Sequence, residues 1–280
     1  MTEKTDPATV GAGLHYGLSF DAYRAVDAAN ASLLKQRTPA HMKAYLDGLL
    51  GKGATPAMVL GSLTHAMLFE PDTIDRDYAF AAVKDKKQAA WKAHVKANPD
   101  KQCLTETDRA HADEMVAAVR KDPVAQGYLE ATGPAELTAI ARDEDTGILC
   151  KGRFDKYIAP CEDPPIGIIP DYKTTTNAEE WAWRNKCKEF DHPFSAAFYI
   201  RLAEAITGCL HRFVWIVQET TPPYAVQCYY LEDESQAKGI ERIDAALRNY
   251  KEGIETGNWP GYGGGLKAGG YPAWMLKQHE

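Results

Sequence analysis

Residues 147–176, GILCKGRFDKYIAPCEDPPIGIIPDYKTTT, constrain this chain more than any other stretch. Two runs of strand-forming residues, 148–158 and 166–173, flank a short polar, proline-rich link, the pattern of two β-strands joined by a loop. The second run is apolar and stops abruptly at Pro170-Asp171-Tyr172-Lys173. Side chains alternate along a strand, so Asp171 and Lys173 share one face and Tyr172 takes the other. If the strands pair antiparallel with Asp155 across from Ile169 or Asp171, Asp155 joins that face. Two carboxylates and an ammonium then meet at the end of a buried strand.

Such a cluster has a chemical use. Carboxylates on rigid strands hold hard cations such as Mg²⁺ or Mn²⁺, which keep waters and phosphate oxygens in their shell. The cation polarises a phosphodiester and makes hydroxide from water, while a lysine orients that water or offsets developing charge. The plain alternative is an Asp–Lys pair on a solvated strand end, since a three-letter motif recurs by chance. The apolar strand before it and the aspartate on the preceding strand favour a site.

The order His65, Glu136, GRFD (152–155), PDYKT (170–174), followed by an aromatic-bearing helix, resembles the PD-(D/E)XK nucleases. It is most similar to the nuclease domain of phage and prophage exonuclease VIII (RecE-type), related to lambda-type exonuclease. The similarity runs from SFDAYRAVDAANASLLKQRTPAHMKAYLDG to YPAWMLKQ, and its most specific pieces are GSLTHAMLFEP, CKGRFD and PDYKTTT. It implies an α/β fold with a PD-(D/E)XK restriction-endonuclease-like core, a central mixed β-sheet flanked by helices, and a helical insertion. It further implies a metal-dependent exodeoxyribonuclease that degrades linear double-stranded DNA from its 5′ end in phage-type homologous recombination.

By the same resemblance His65, Asp155, Asp171 and the carbonyl of Tyr172 hold Mg²⁺, for which Mn²⁺ can substitute, with Glu136 as a further carboxylate. Lys173 positions or activates the attacking water. The family places a Gln four residues before a Tyr near the phosphate; this chain has Tyr199 but Ser195 in the Gln position. Ser32 and Arg37 fall in the segment that approaches the DNA end, and Ser62, Arg153 and Thr174 complete the expected DNA contacts. Double-stranded DNA ends, a ring-shaped homo-oligomer (trimer or tetramer) and a single-strand annealing protein are the implied partners. Some relatives carry a cysteine-ligated iron–sulfur cluster. The six cysteines here (Cys103, Cys150, Cys161, Cys187, Cys209, Cys228) lack the closely spaced C-terminal set, so none is expected.

Bland readings stand beside these. A lone histidine in an apolar helix is more often a core residue than a ligand. Glu136 reads equally as an exposed strand-end glutamate, and Tyr199 as a core aromatic. The same fold also admits an endonuclease, a single-strand nuclease, or a catalytically silent DNA-end-binding subunit. A net charge of −7 opposes nucleic-acid binding. The charge is uneven, however, with Lys84, Lys86, Lys87, Lys92, Lys96 and Lys101 together against Asp85 and Asp100, and an acidic stretch at 102–145.

The chain length suits one sizeable domain. Residues 1–15 read as a flexible arm and 16–280 as a single nuclease domain, with a helical insertion at 72–133 and the catalytic sheet core at 134–231. No apolar run is long enough to span a membrane and no signal peptide is evident, so a cytoplasmic protein without membrane partners is expected. Residues 19–48 read as two short helices and 56–70 as a helix buried on nearly every side. Trp181 and Trp183 read as packing groups, and Ile240, Ile243, Leu247, Tyr250 and Ile254 as one apolar helix face.

Overall fold

The computed structural model describes residues 10–51, 53–161 and 163–270. Strand β1 (Gly13–His15) precedes three short helices, α1 (Phe20–Ala25), α2 (Ala31–Leu34) and α3 (Pro39–Leu46). Each helix opens on a small polar cap: the side chains of Ser19, Asn30 and Thr38 accept the backbone N–H of Ala22, Leu33 and His41. Helix α4 (Pro56–Phe69) is capped by Thr55 and has proline in its first turn, where no N–H is needed. There follow α5 (Ile74–Asp77), β2 (Tyr78–Ala81), α6 (Ala89–Ala97), β3 (Gln102–Thr105), α7 (Glu106–Val119) and α8 (Pro123–Glu130). Thr105 and Asp108 form a reciprocal capping box at the start of α7. The remainder is β4 (Ala135–Arg142), β5 (Leu149–Lys156), β6 (Ile166–Thr175), α9 (Glu180–Phe190), α10 (His192–Thr207), β7 (Leu210–Glu219), β8 (Val226–Tyr230) and α11 (Asp233–Thr256).

Strands β1, β4 and β5 form one antiparallel sheet, and β6, β7 and β8 a mixed one in which β6–β7 is parallel and β7–β8 antiparallel. The parallel step needs a crossover, which α9 and α10 supply. Helix α10 lies against β4, β5 and β7 on one side and α11 on the other. It contributes Phe194, Phe198, Ile200 and Leu202 to the main core, where they meet Leu137, Phe154, Ile169 and Phe213. Fully burying side chains of this kind is worth about 1.5–3 kcal/mol each. Gly152 on β5 admits the helix: a Cβ there would lie 2.9 Å from Leu202 and 3.1 Å from Tyr199.

The expected α/β arrangement of sheet and flanking helices is present, with several differences in detail. The strands bearing Asp155 and Asp171 do not form a continuous hairpin ladder. Among the described residues their one backbone bridge is Ile158–Ile168, with N–H···O bonds of 2.9 Å in both directions. Beyond it the ladder does not continue, and the Asp155 side chain itself accepts the Tyr172 N–H at 2.9 Å. The insertion is not wholly helical, because β2 and β3 form a parallel pair within it. Of the residues expected in the flexible arm, 13–15 instead pair with β4 and Val10 is buried. Residues 1–9 and the terminal YPAWMLKQ lie outside the described residues.

Residues 19–48 hold three helices rather than two, since Asn30 and Thr38 each cap a new one. In α4 only Leu63, Thr64 and Ala66 are buried. Its apolar first turn, including Met58, faces outward, because the helix leans on α7 and β6 rather than sinking among strands. Trp183 is buried, but Trp181 is exposed and donates its indole N–H to Glu179. Ile254 is half-exposed, lying beyond the reach of α10 at the far end of α11. No helix among the described residues is long and apolar enough to cross a membrane.

Candidate metal centre

Three elements deliver three side chains to one point. Helix α4 brings His65 by a close approach: a Cβ on Gly61 would stand 2.8 Å from Thr174 Oγ1 on β6. Gly61 and His65 are four residues apart, hence on the same helix face, so this contact lowers His65 onto the strand ends. Strand β5 contributes Asp155. Strand β4 contributes Glu136, whose φ of 53° lies in the left-handed region that non-glycine residues rarely enter. The pairs Ala135–Lys156 and Leu137–Phe154 place Glu136 directly across from Asp155, at a position missing from the ladder between them. The backbone is strained where two carboxylates face each other, and such strain persists only where surrounding structure enforces it.

His65 Nε2 lies 3.2 Å from Asp155 Oδ2 and 3.3 Å from Glu136 Oε1. The ligand-type atoms of these three residues all fall within 4.8 Å of one another. Asp171 is outside this tight triad, although the sequence placed it among the ligands. It forms an ion pair with Lys173 at the end of β6, and Tyr172 between them joins the two groups by giving its N–H to Asp155. The Tyr172 carbonyl instead accepts from Lys173 at 3.3 Å, and its phenol is turned away to Gln218. Arg153 braces the triad from behind, with Nε 2.5 Å from Glu136 Oε2 and Nη2 donating to Glu70 Oε1 at 3.1 Å. Glu70, in the GSLTHAMLFEP segment, is a site neighbour that the sequence alone did not mark; it follows the histidine helix directly and precedes Pro71.

The charges respond to this crowding. Burial and the neighbouring Asp155 charge push the Glu136 carboxyl up to about 7. Burial likewise raises Asp171, with the Asp155 charge adding to it against the pull of Lys173. For Asp155, burial is outweighed by the charges of His65 and Lys173 and by bonds from His65 and the Tyr172 N–H, so it stays low. Burial disfavours charge on His65 too, yet Asp155 and Glu136 raise it to about 9. Lys173 is held cationic against burial by Asp171 and Asp155.

These residues fit a divalent cation. Three carboxylates, Glu136, Asp155 and Asp171, are largely buried close together, a concentration of negative charge that the His65 imidazole and the Lys173 ammonium offset in part and that a bound cation would neutralise further. Carboxylate oxygens with one imidazole suit Mg²⁺ or Mn²⁺, the latter accepting nitrogen more readily.

The other expected residues are placed less uniformly. Tyr199 and Ser32 line the same cleft of about 820 Å³ as the triad. Tyr199 packs at a tilt on Phe154 with centroids 5.3 Å apart, and burial drives its phenol far above the ordinary range, so it is also the core aromatic of the alternative reading. Thr174 meets Gly61, and Ser195 is half-buried one turn before Tyr199. Ser62 and Arg37 are exposed and do not line the cleft. His192, one turn before Ser195, was not anticipated. Burial and the charges of Lys173 and Lys35 push it down to about 3, which marks it as a neutral neighbour of the site lysine.

No curated protein matches the sequence. Among solved structures, one described as a "Putative exonuclease" from Eubacterium rectale superposes with a TM-score of 0.58. It is 12% identical and covers 85% of this chain and 88% of that one, a likeness of fold. The protein SSO0001 is 14% identical over 68% of this chain and 86% of its own, but its TM-score of 0.30 lends no weight. The model of one sequence family matches residues 30–268, from the cap of α2 to the glycine-rich tail, and so takes in every residue of the centre. The chain belongs to that family, described as a PDDEXK-like domain of unknown function (DUF3799).

Proposed function

We propose that the protein is a Mg²⁺-dependent exodeoxyribonuclease of the RecE type that degrades linear double-stranded DNA from the 5′ end. One observation carries the reading: His65, Glu136 and Asp155 converge beside the Asp171–Lys173 pair, on a fold of the PDDEXK kind. A divalent cation bound there would supply Lewis-acid polarisation of the phosphodiester and a more acidic water. His65, Glu136 and Asp155 would hold it, with Asp171 presenting a carboxylate oxygen from the adjacent strand end. The Tyr172 N–H fixes the orientation of Asp155, and Arg153 fixes that of Glu136. Lys173, kept cationic by its carboxylate neighbours, donates to the attacking water and offsets charge developing on the phosphate oxygens.

In this reading Mn²⁺ replaces Mg²⁺, the enzyme works as a ring-shaped homo-oligomer, and a single-strand annealing protein receives its product. The test is digestion of end-labelled linear duplex and of closed circular duplex in Mg²⁺ and in EDTA. Linear DNA should be degraded with early release of the 5′ label, the circle should survive, and EDTA should stop the reaction. A cut circle would assign an endonuclease instead. Linear DNA that is bound and left intact in both Mg²⁺ and Mn²⁺ would overturn the catalytic reading in favour of an end-binding protein.

A further inference from the structure

Phe20, the first residue of α1, is 56% exposed and stands in the wall of the cleft that contains His65, Glu136 and Asp155. Its ring stacks on Tyr23, with centroids 6.1 Å apart and planes at 22°. The guanidinium of Arg153 lies 5.4 Å from the ring centroid and that of Arg24 5.9 Å. Arg153 is the residue that braces Glu136, and its Nη1 is buried without a partner. An exposed phenyl ring alone is an ordinary surface feature. Two further observations set this one apart.

Helix α1 buries none of its own residues, yet a buried lysine is committed to it. Lys151 on β5 donates to the carbonyls of Tyr23, Arg24 and Val26 at 2.9, 3.2 and 2.5 Å, and its ammonium lies 4.9 Å from the Tyr23 ring centroid. Burying an ammonium is costly unless it is fully bonded. Here that cost fixes a helix that reaches a small satellite core only through Ala22 and Tyr23, and it holds the exposed ring of Phe20 in the cleft wall. In addition, Leu46 and Leu50 are exposed in the same cleft wall. A cleft holding carboxylates and an imidazole for phosphate chemistry therefore also carries an apolar, aromatic margin. Paired DNA turns its phosphates outward and keeps its base faces stacked inside, except for the outer face of the last pair at an end. An unpaired nucleotide offers a bare base face.

We infer that Phe20, backed by Tyr23 and Arg153, is a stacking platform for an unpaired nucleobase of the strand whose phosphate lies at the metal centre. The inference rests on the nuclease reading only in taking nucleic acid as the ligand. It adds a requirement: the strand presents its nucleotide turned out of the duplex, and the platform recognises the π-face of any base rather than a sequence.

The experiment compares wild type, Phe20→Ala and Phe20→Trp in binding a tailed duplex oligonucleotide whose first unpaired nucleotide is either normal or abasic. Affinity is read by fluorescence anisotropy in Ca²⁺, and Mg²⁺-dependent digestion of the same oligonucleotides is measured in parallel. Wild type should bind the base-bearing end about 5- to 140-fold more tightly than the abasic one, the range expected for one aromatic stack. Phe20→Ala should lose that discrimination and Phe20→Trp should keep or extend it. Because Phe20 itself is exposed, both variants should melt like wild type. Equal discrimination by wild type and Phe20→Ala, or no binding of either oligonucleotide, would overturn the platform. Discrimination without Mg²⁺-dependent cleavage would overturn the nuclease reading and leave the platform standing, whereas cleavage indifferent to the abasic change would do the reverse.

Discussion

Helices α4 and α10 both reach the strands through a glycine, and there the likeness ends. Helix α10 crosses at Gly152 and buries seven of its residues, four of them large and apolar. Helix α4 touches β6 at Gly61, buries only Leu63, Thr64 and Ala66, and offers His65 to two carboxylates. One helix is fixed by packing in the main core; the other packs on α7 in a smaller core around Leu63 and Ala66 and gives its remaining face to the charges. Stability should accordingly reside with α10 and chemistry with α4 and the strand ends it faces.

The largest expected effect breaks the comparison on the α4 side. Asp155→Asn, His65→Ala or Lys173→Ala should each lower DNA hydrolysis by about a thousand-fold or more, because charge held for the reaction has no substitute nearby. Melting temperature should fall somewhat as well, since each change leaves a buried charge without its partner, so turnover is compared per folded molecule. Calorimetry alongside the digestion assay checks both halves. On the α10 side, Phe198→Ala should cost about 3–5 kcal/mol of unfolding free energy in urea titrations, as for other fully buried aromatics, while turnover per folded molecule stays the same. A loss of turnover there would mean that packing and chemistry are not divided as described.

Arg153→Met sharpens the boundary between the two. It removes the brace on Glu136 without removing a ligand, and should weaken Mn²⁺ affinity by about 10- to 100-fold in titration calorimetry, as for other residues that orient metal ligands. The smallest effect belongs to Gly61→Ala. Alanine favours helix by about 1 kcal/mol, which offsets the displacement of Thr174, so stability should barely change. Turnover should still fall several-fold, because His65 rides on that contact.

What the sequence displayed and what it hid divide along physical lines. Asp155, Asp171 and Lys173 could be placed because strand alternation is a local rule, and the motif supplied His65. The Asp155–Tyr172 contact was invisible, since it replaces a ladder bond that strand pairing alone would predict. The nearness of Glu136 depends on a left-handed backbone that no propensity suggests for glutamate. Strands β1, β2 and β3 are three or four residues long and too short for any periodicity to register. Phe20 and Lys151 lie far apart in the chain, and only the folded cleft shows that the buried lysine serves the helix carrying the exposed ring.

The central claim is that His65, Glu136 and Asp155 form one metal-binding centre. Anomalous diffraction from crystals soaked in Mn²⁺ tests it most directly. The account predicts a single strong peak within coordination distance of His65 Nε2 and of carboxylate oxygens from Glu136 and Asp155, absent in Asp155→Asn crystals. A peak elsewhere, or none with the three side chains in place, would contradict it.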